Sequence, residues 1–200
     1  MQFGTTYALA DFQDHINNAI GEVFDKFASA YLDDVIIYSN LVEEHKGHVK
    51  WNVQRLLDAG LYLKPEKCNF HKDTVKYLGL IISTNGICMD KDKVETVWNW
   101  SQGKKTANGR LNSLFEVQQF LGFCNYYRQF IPKYSEKVEP LTRLTKKDKP
   151  FVWEADQQLA FETMVEAFTT SPVLRHVDYV REVIIETDAS DYVSAWQLSQ

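Results

Sequence analysis

Cysteine is scarce in these 200 residues, and the three present, Cys68, Cys88 and Cys124, lie far apart. An odd count at wide spacing argues against a disulfide framework or a zinc cluster. Free thiols fit a reducing compartment, so an intracellular setting, cytoplasmic or nuclear, is expected. Long apolar runs are missing too. None approaches the length of a membrane span, and no membrane partner is expected. The first residues hold no basic stretch leading into an apolar one, so no signal peptide is expected. Positive charge is not in excess either: the formal net charge is −5, which taken whole does not suggest a nucleic-acid binder. Its distribution is more informative. Residues 91–149 hold twelve Lys or Arg against six Asp or Glu, enough for a local basic surface or for an ordinary solvated face. Apolar residues make up 44% of the chain and aromatic ones 14%, which predicts a packed core in one ordinary domain or two small ones.

The richest stretch chemically is Ala30-Tyr31-Leu32-Asp33-Asp34-Val35-Ile36-Ile37-Tyr38. Residues 27–32 and 35–38 have strand propensity, and Asp33-Asp34 is the expected turn between them. Adjacent carboxylates repel each other, a cost that a bound cation removes. An oxygen-rich hairpin tip suits Mg²⁺, which takes one or two carboxylates together with substrate phosphates. An exposed Asp-Asp turn with no function is the plain alternative.

Helical spacing of Ala8, Phe12, Ile16 and Ala19-Ile20 predicts a helix over about 6–21. A second helix is expected over 42–59, with Val49, Val53, Leu56 and Leu57 as its apolar stripe and Gly60 just past its end. His45 and His48 near its start read as solvated. Residues 74–82 and 87–89 are expected to pair around Thr84-Asn85-Gly86, since Asn-Gly is a strong turn signal. Residues 91–100 read as a short helix with Val94, Val97 and Trp98 inward. The stretch 101–112 is rich in Gly, Lys and Asn and is expected to be a mobile surface loop without an apolar face. Residues 114–130 form the most strongly helical segment. Phe120, Leu121, Cys124, Tyr127 and Phe130 would face inward, with Gln118, Gln119, Asn125, Arg128 and Gln129 outward. Residues 134–149 read as a charged connector broken by Pro140. A further helix is expected over 153–168, marked by Leu159, Ala160, Met164, Val165 and Phe168, then a strand over 182–187.

Tyr31-Leu32-Asp33-Asp34 resembles the Tyr-x-Asp-Asp signature of reverse transcriptases. Ordered matches to the polyproteins of gypsy-class long-terminal-repeat retrotransposons run nearly end to end. They include Phe3-Gly4 through Phe12-Gln13, Glu43-Glu44-His45, and Leu63-Lys64-Pro65-Glu66-Lys67-Cys68. Further on come Tyr77-Leu78-Gly79, Phe120-Leu121-Gly122-Phe123, Asn125-Tyr126-Tyr127-Arg128 and Glu186-Thr187-Asp188-Ala189. Each piece is weak alone, and their order makes the resemblance strong.

The resemblance implies an α+β fold: a partial polymerase palm of β-hairpins and helices, a helical thumb, and truncated first strands of a ribonuclease H-like domain. Residues 1–90 would be the end of the palm, and 91–145 the thumb with its insertion near 101–112. Residues 146–180 would be the connection, and 181–200 the start of the ribonuclease H-like domain. It further implies Mg²⁺ or Mn²⁺ as cofactor, with Asp33, Asp34 and Asp188 as metal ligands and catalytic carboxylates. Phe3, Gly4, Tyr7 and Gln13 would line the nucleotide and template pocket. Leu78 and Gly79 would form the primer grip. Gln118, Asn125, Arg128, Lys146 and Lys147 would touch the nucleic-acid backbone. Partners would be an RNA/DNA primer–template duplex and deoxynucleoside triphosphates.

The sequence departs from the family at Thr5, Tyr7 and Leu9, where Leu, Asn and Pro are usual. In the family a further metal-binding aspartate and the fingers lie upstream of the Phe-Gly segment, so the chain alone is expected to be inactive as an RNA-directed DNA polymerase. A non-catalytic nucleic-acid-binding remnant and a non-functional relic are the alternatives.

Overall fold

The computed structural model describes residues 7–103, 109–147, 149–176, 181–182, 184–189 and 194–199, from Glu186 onward by backbone alone. Two compact units divide at Leu78/Gly79. Among the described residues, no helix is long and apolar enough to cross a membrane.

In the first unit, α1 (Ala8–Ile20) buries Ala8, Ile16, Ala19 and Ile20 along one face. Gly21, at φ +56°, ends it in a conformation that costs glycine little. Strands β1 (Ala28–Tyr31) and β2 (Asp34–Ile37) pair antiparallel, with Ala28 opposite Ile37 and Tyr31 opposite Asp34. Ala28 and Ala30 point into the core while Tyr31 points out. Their small side chains leave room for Ile16, Ile20 and Leu56, which complete the core. Helix α2 (Val42–Asp58) ends as the sequence suggests. The Gly60 N–H donates to Leu57 O at 2.9 Å and the Leu61 N–H to Leu56 O at 2.8 Å, the paired bonds of a Schellman motif. Of the expected stripe, Leu56 is buried but Leu57 is exposed. Strand β3 (Thr74–Tyr77) closes this unit.

The single strand expected over 74–82 is interrupted. Leu78 and Gly79 both have positive φ, +50° and +76°, which breaks the pleat and starts a new strand, β4 (Leu80–Ser83). It pairs with β5 (Gly86–Met89) in a register that puts Ser83 opposite Gly86, so of the expected Thr84-Asn85-Gly86 the first two residues make the turn and Gly86 opens the strand. The reason lies downstream. The Ile87 N–H donates to Leu174 O at 2.7 Å and the Leu174 N–H returns to Ile87 O at 2.8 Å. A Cβ on Gly86 would sit 2.2 Å from Leu174 O, so the glycine serves a close backbone approach.

Helix α3 (Lys91–Ser101) starts at Asp90, whose carboxylate accepts the Asp92 N–H at 3.2 Å. Val97 and Trp100 face inward, and Trp98 is 48% exposed, against the expectation that it would be core. The 101–112 stretch has a buried anchor after all: Leu111 is fully enclosed. Ser113 caps α4 (Leu114–Tyr126), accepting the Glu116 N–H at 3.2 Å, while Glu116 accepts the Asn112 N–H at 2.7 Å.

The expected connector over 134–149 contains a helix, α5 (Tyr134–Leu144), with Pro140 inside it. Val138, Leu141 and Leu144 recur every third residue and are buried, and that burial outweighs the proline. Helix α6 (Ala155–Thr169) packs on α3 and α5 through Ala160, Phe161, Met164 and Phe168, and Leu159 is exposed instead of buried. Phe120, Cys124, Tyr127 and Phe130 of the α4 region join this core. Burial pushes the Cys124 thiol well above its ordinary range, which makes it inert. The last strands, β6 (Ile184–Ala189) and β7 (Ser194–Ser199), pair antiparallel with Asp188 opposite Ala195.

Candidate functional site

The β1–β2 turn is shifted by one residue from its expected place. Leu32 and Asp33 occupy the turn, and Asp34 opens β2 opposite Tyr31. Leu32 sits at φ +51°, a left-handed conformation that costs a residue with a Cβ about 1–2 kcal/mol. Gln13, reaching from α1, holds this turn. Its Oε1 accepts the Leu32 N–H at 2.6 Å, its Nε2 donates to Ala30 O at 3.1 Å, and the same Nε2 reaches Asn17 Oδ1 at 2.8 Å. The amide thus bonds to the backbone on both sides of Tyr31. Asp33 and Asp34 are both exposed, at the tip of a turn that is braced from behind.

Of the other residues expected in a nucleotide pocket, Tyr7 is exposed just before α1, and Phe3 and Gly4 lie outside the described residues. Asp188 is placed by its backbone in β6, and its side chain lies outside the described part. Among the described residues, no group of three or more His, Cys, Asp or Glu side chains converges as a metal site. Asp33 and Asp34 are adjacent in sequence, one in the turn and one at the start of β2.

In the second unit, α4 presents Phe115, Gln118, Gly122, Asn125 and Tyr126 on its open side. Gly122 lies mid-helix, and a Cβ added there would meet nothing within 4 Å. Arg128 is exposed in the short turn that follows, and Lys146 and Lys147 are exposed past the end of α5. The Leu78–Gly79 turn is held on its Gly79 side, where the carbonyl accepts the Asp90 N–H at 3.2 Å and the Tyr127 hydroxyl at 3.3 Å.

Sequence reasoning missed two features. Gln13, expected to line the pocket, has its amide bonded to the turn, a contact nineteen positions away that no local pattern signals. His45 and His48, expected to be solvated, are half-buried and share one hydroxyl. Ser39 Oγ lies 3.1 Å from His45 Nδ1 and 2.7 Å from His48 Nδ1. One hydroxyl proton serves only one of these contacts, so the other imidazole must donate. His48 also stacks on Phe27 with centroids 3.9 Å apart, and His71 meets His45 edge-on at 5.3 Å. Burial, then the neighbouring His71 and His48, hold the His45 pKa below its ordinary value.

Residues 1–82 match the family "Reverse transcriptase (RNA-dependent DNA polymerase)", and residues 153–200 match the "RNase H-like domain found in reverse transcriptase". Over all 200 residues the chain is 38% identical to the transposon Tf2-3 and Tf2-4 polyproteins of Schizosaccharomyces pombe, and it spans 14% of their length. Two solved foamy viral protease–reverse transcriptases share the fold at 22% identity. One, in complex with double-stranded DNA, has a TM-score of 0.72 over 95% of this chain and 32% of its own. The other, in complex with an RNA/DNA hybrid, has a TM-score of 0.75 over 95% of this chain and 25% of its own. The chain carries a reverse transcriptase segment followed by an RNase H-like segment, homologous to those of retrotransposon polyproteins of the Tf2 kind.

Proposed function

We propose that this chain contributes the carboxylate end and the duplex-holding helices of an RNA-directed DNA polymerase encoded by a gypsy-class retrotransposon. The single observation that carries this reading is the braced turn. A left-handed Leu32 is held by Gln13, which bonds to the backbone on both sides of Tyr31, and Asp33 stands out at the braced tip. Asp33 and Asp34 would hold Mg²⁺ or Mn²⁺, which supplies charge stabilisation to phosphoryl transfer when bound. Asp33 is the principal ligand and Asp34 the supporting one. In the same reading residues 1–90 end the palm, 91–145 are the thumb, 146–180 the connection and 181–200 the start of the ribonuclease H-like domain, with Asp188 its first carboxylate. Deoxynucleoside triphosphates and an RNA/DNA primer–template are the substrates.

The open face of α4 supports a duplex partner. Glutamine, asparagine, an unobstructed glycine and a tyrosine ring suit a surface that lies along a sugar–phosphate backbone, with Arg128, Lys146 and Lys147 meeting phosphates. Those cations account for binding despite the acidic whole. The test is incorporation of labelled deoxynucleotide on a primed RNA template with Mg²⁺ or Mn²⁺, with Asp33→Asn as control, beside duplex affinity as a function of salt. Incorporation that vanishes in the control supports the polymerase reading. Salt-sensitive binding without incorporation favours the non-catalytic nucleic-acid-binding reading, which the bulky Tyr7 at the head of α1 also suits.

A further inference from the structure

Three imidazoles from two stretches of the first unit meet beside Ser39. His45 and His48 lie three residues apart on α2, and both present Nδ1 to the Ser39 hydroxyl, at 3.1 and 2.7 Å. His71 comes from the loop that leads into β3 and meets His45 edge-on, with ring centroids 5.3 Å apart and planes at 72°. That loop has little else to hold it. Residues 69–73 are all exposed, and among the described residues none of them takes part in a hydrogen bond. His71 also sits at φ +51°, where its Cβ is crowded, and leaving the contact relieves that strain.

The groups around His45 are of one kind. His48 faces it along α2, His71 from the loop, and the uncharged Ser39 from the stretch after β2. Phe27, uncharged as well, stacks on His48. Both charged groups that act on His45 are therefore imidazoles, and together with burial, the larger cause, they hold its pKa below the ordinary value. One imidazolium beside a neutral imidazole is a favourable pair, since a positive edge suits an aromatic face. Two imidazolium rings at the same separation repel, in a half-buried place where water screens them poorly. The Ser39 hydroxyl accepts from both Nδ1–H groups when both rings are charged, so His45 and His48 keep their anchor and the repulsion falls on the His71 contact.

We propose that His71 and His45 form an acid-opened latch: with His45 neutral their contact holds the 69–73 loop against α2, and a proton on His45 releases the loop. The loop runs straight into β3, so the latch sets how firmly the chain between α2 and β3 is held. It stands on the geometry of the first unit and does not depend on the polymerase reading.

The test is ¹⁵N relaxation of the whole chain at pH 7.5 and pH 5, with the His45 ring titrated alongside. Order parameters of residues 69–73 should lie near about 0.8 at the higher pH and fall below about 0.6 at the lower, while residues 50–56 of α2 stay rigid. The loosening should share its midpoint with the His45 ring. His71→Phe keeps an edge-on ring without the charge, so its loop should stay ordered at both pH values. His45→Gln removes the ring partner, so its loop should be mobile at both. Equal order at the two pH values in the parent overturns the latch, and so does a loop that moves together with residues 50–56, which would be unfolding. A His71→Phe loop that loosens like the parent, or a midpoint away from that of His45, overturns the role of the His45–His71 charges. An ordered loop in His45→Gln would mean that the ring contact does not hold it, and overturns the proposal as well.

Discussion

Gln13 holds Leu32 in place: the Gln13 Oε1 accepts the Leu32 N–H at 2.6 Å, at a residue whose φ is +51°. A glutamine on α1 therefore sets the backbone of the turn that carries Asp33. Neither group can be understood alone, because the strained turn needs an acceptor inside it and a donor to Ala30 O, and one primary amide supplies both.

Replacing Gln13 separates these contributions. Gln13→Leu removes both bonds to the turn, along with the one to Asn17, and is expected to cost about 1–3 kcal/mol, the usual net worth of the two partly buried bonds to the turn. Gln13→Glu keeps the acceptor for Leu32 but loses the donor to Ala30 O, so it should fall between the parent and the leucine variant. Urea unfolding gives the order, and the Leu32 amide should exchange markedly faster in the leucine variant. Equal stability of all three would mean that the amide does not hold the turn.

Stability should depend on the protonation of His45. Its folded pKa lies below 6.5 because of burial and because His71 and His48 stand beside it. The unfolded chain therefore takes up its proton first as pH falls. The contribution is fully present above 6.5, is lost as pH drops from 6.5 toward the lower folded value, and levels off beneath it. Urea midpoints at several pH values between 8 and 5 should show this decline, and His45→Gln should flatten it. A parent curve that rises on acidification through that range would contradict the assignment.

The acidic tip should respond to metal through Asp33 more than Asp34. Mn²⁺ is expected to broaden the NMR amide signals of residues 32–35 selectively, since relaxation enhancement is local. Asp33→Asn should abolish the effect and Asp34→Asn weaken it. In a chelator, either substitution should leave stability equal or slightly higher, because it removes one of two repelling charges. Broadening that survives Asp33→Asn would place the cation elsewhere.

Element types were largely legible in the sequence, because hydrophobic period and capping residues act locally. Gly60 and the spacing of Ile16, Ala19 and Ile20 did what their chemistry predicts. Tertiary demands decided the rest. Asn85-Gly86 looked like a turn, yet Gly86 was needed where Leu174 approaches. Pro140 looked like a break, yet the buried Val138, Leu141 and Leu144 kept the helix. Trp98 and Trp100 are two residues apart, and only packing chose Trp100 for the core. At the site, the Asp pair was visible from its strand flanks. Its brace was not, because Gln13 lies nineteen positions from Leu32 and acts through a contact that no local rule encodes.

Gly122 offers the sharpest test of what α4 faces. Glycine in mid-helix costs about 1 kcal/mol relative to alanine, and nothing within this unit demands it, since a Cβ there would meet no heavy atom within 4 Å. If the open face lies along a duplex, the missing Cβ serves a close approach from outside. Gly122→Ala should then raise stability by about 0.5–1 kcal/mol while weakening duplex affinity several-fold. The methyl group carries no charge, so the slope of log affinity against log salt should not change. Arg128→Ala should do the reverse, lowering that slope by about one ion while leaving stability nearly as it was. Both effects are read by thermal melts together with fluorescence anisotropy at three salt concentrations. A Gly122→Ala chain that is more stable and binds duplex as tightly as the parent would remove α4 from the nucleic-acid interface.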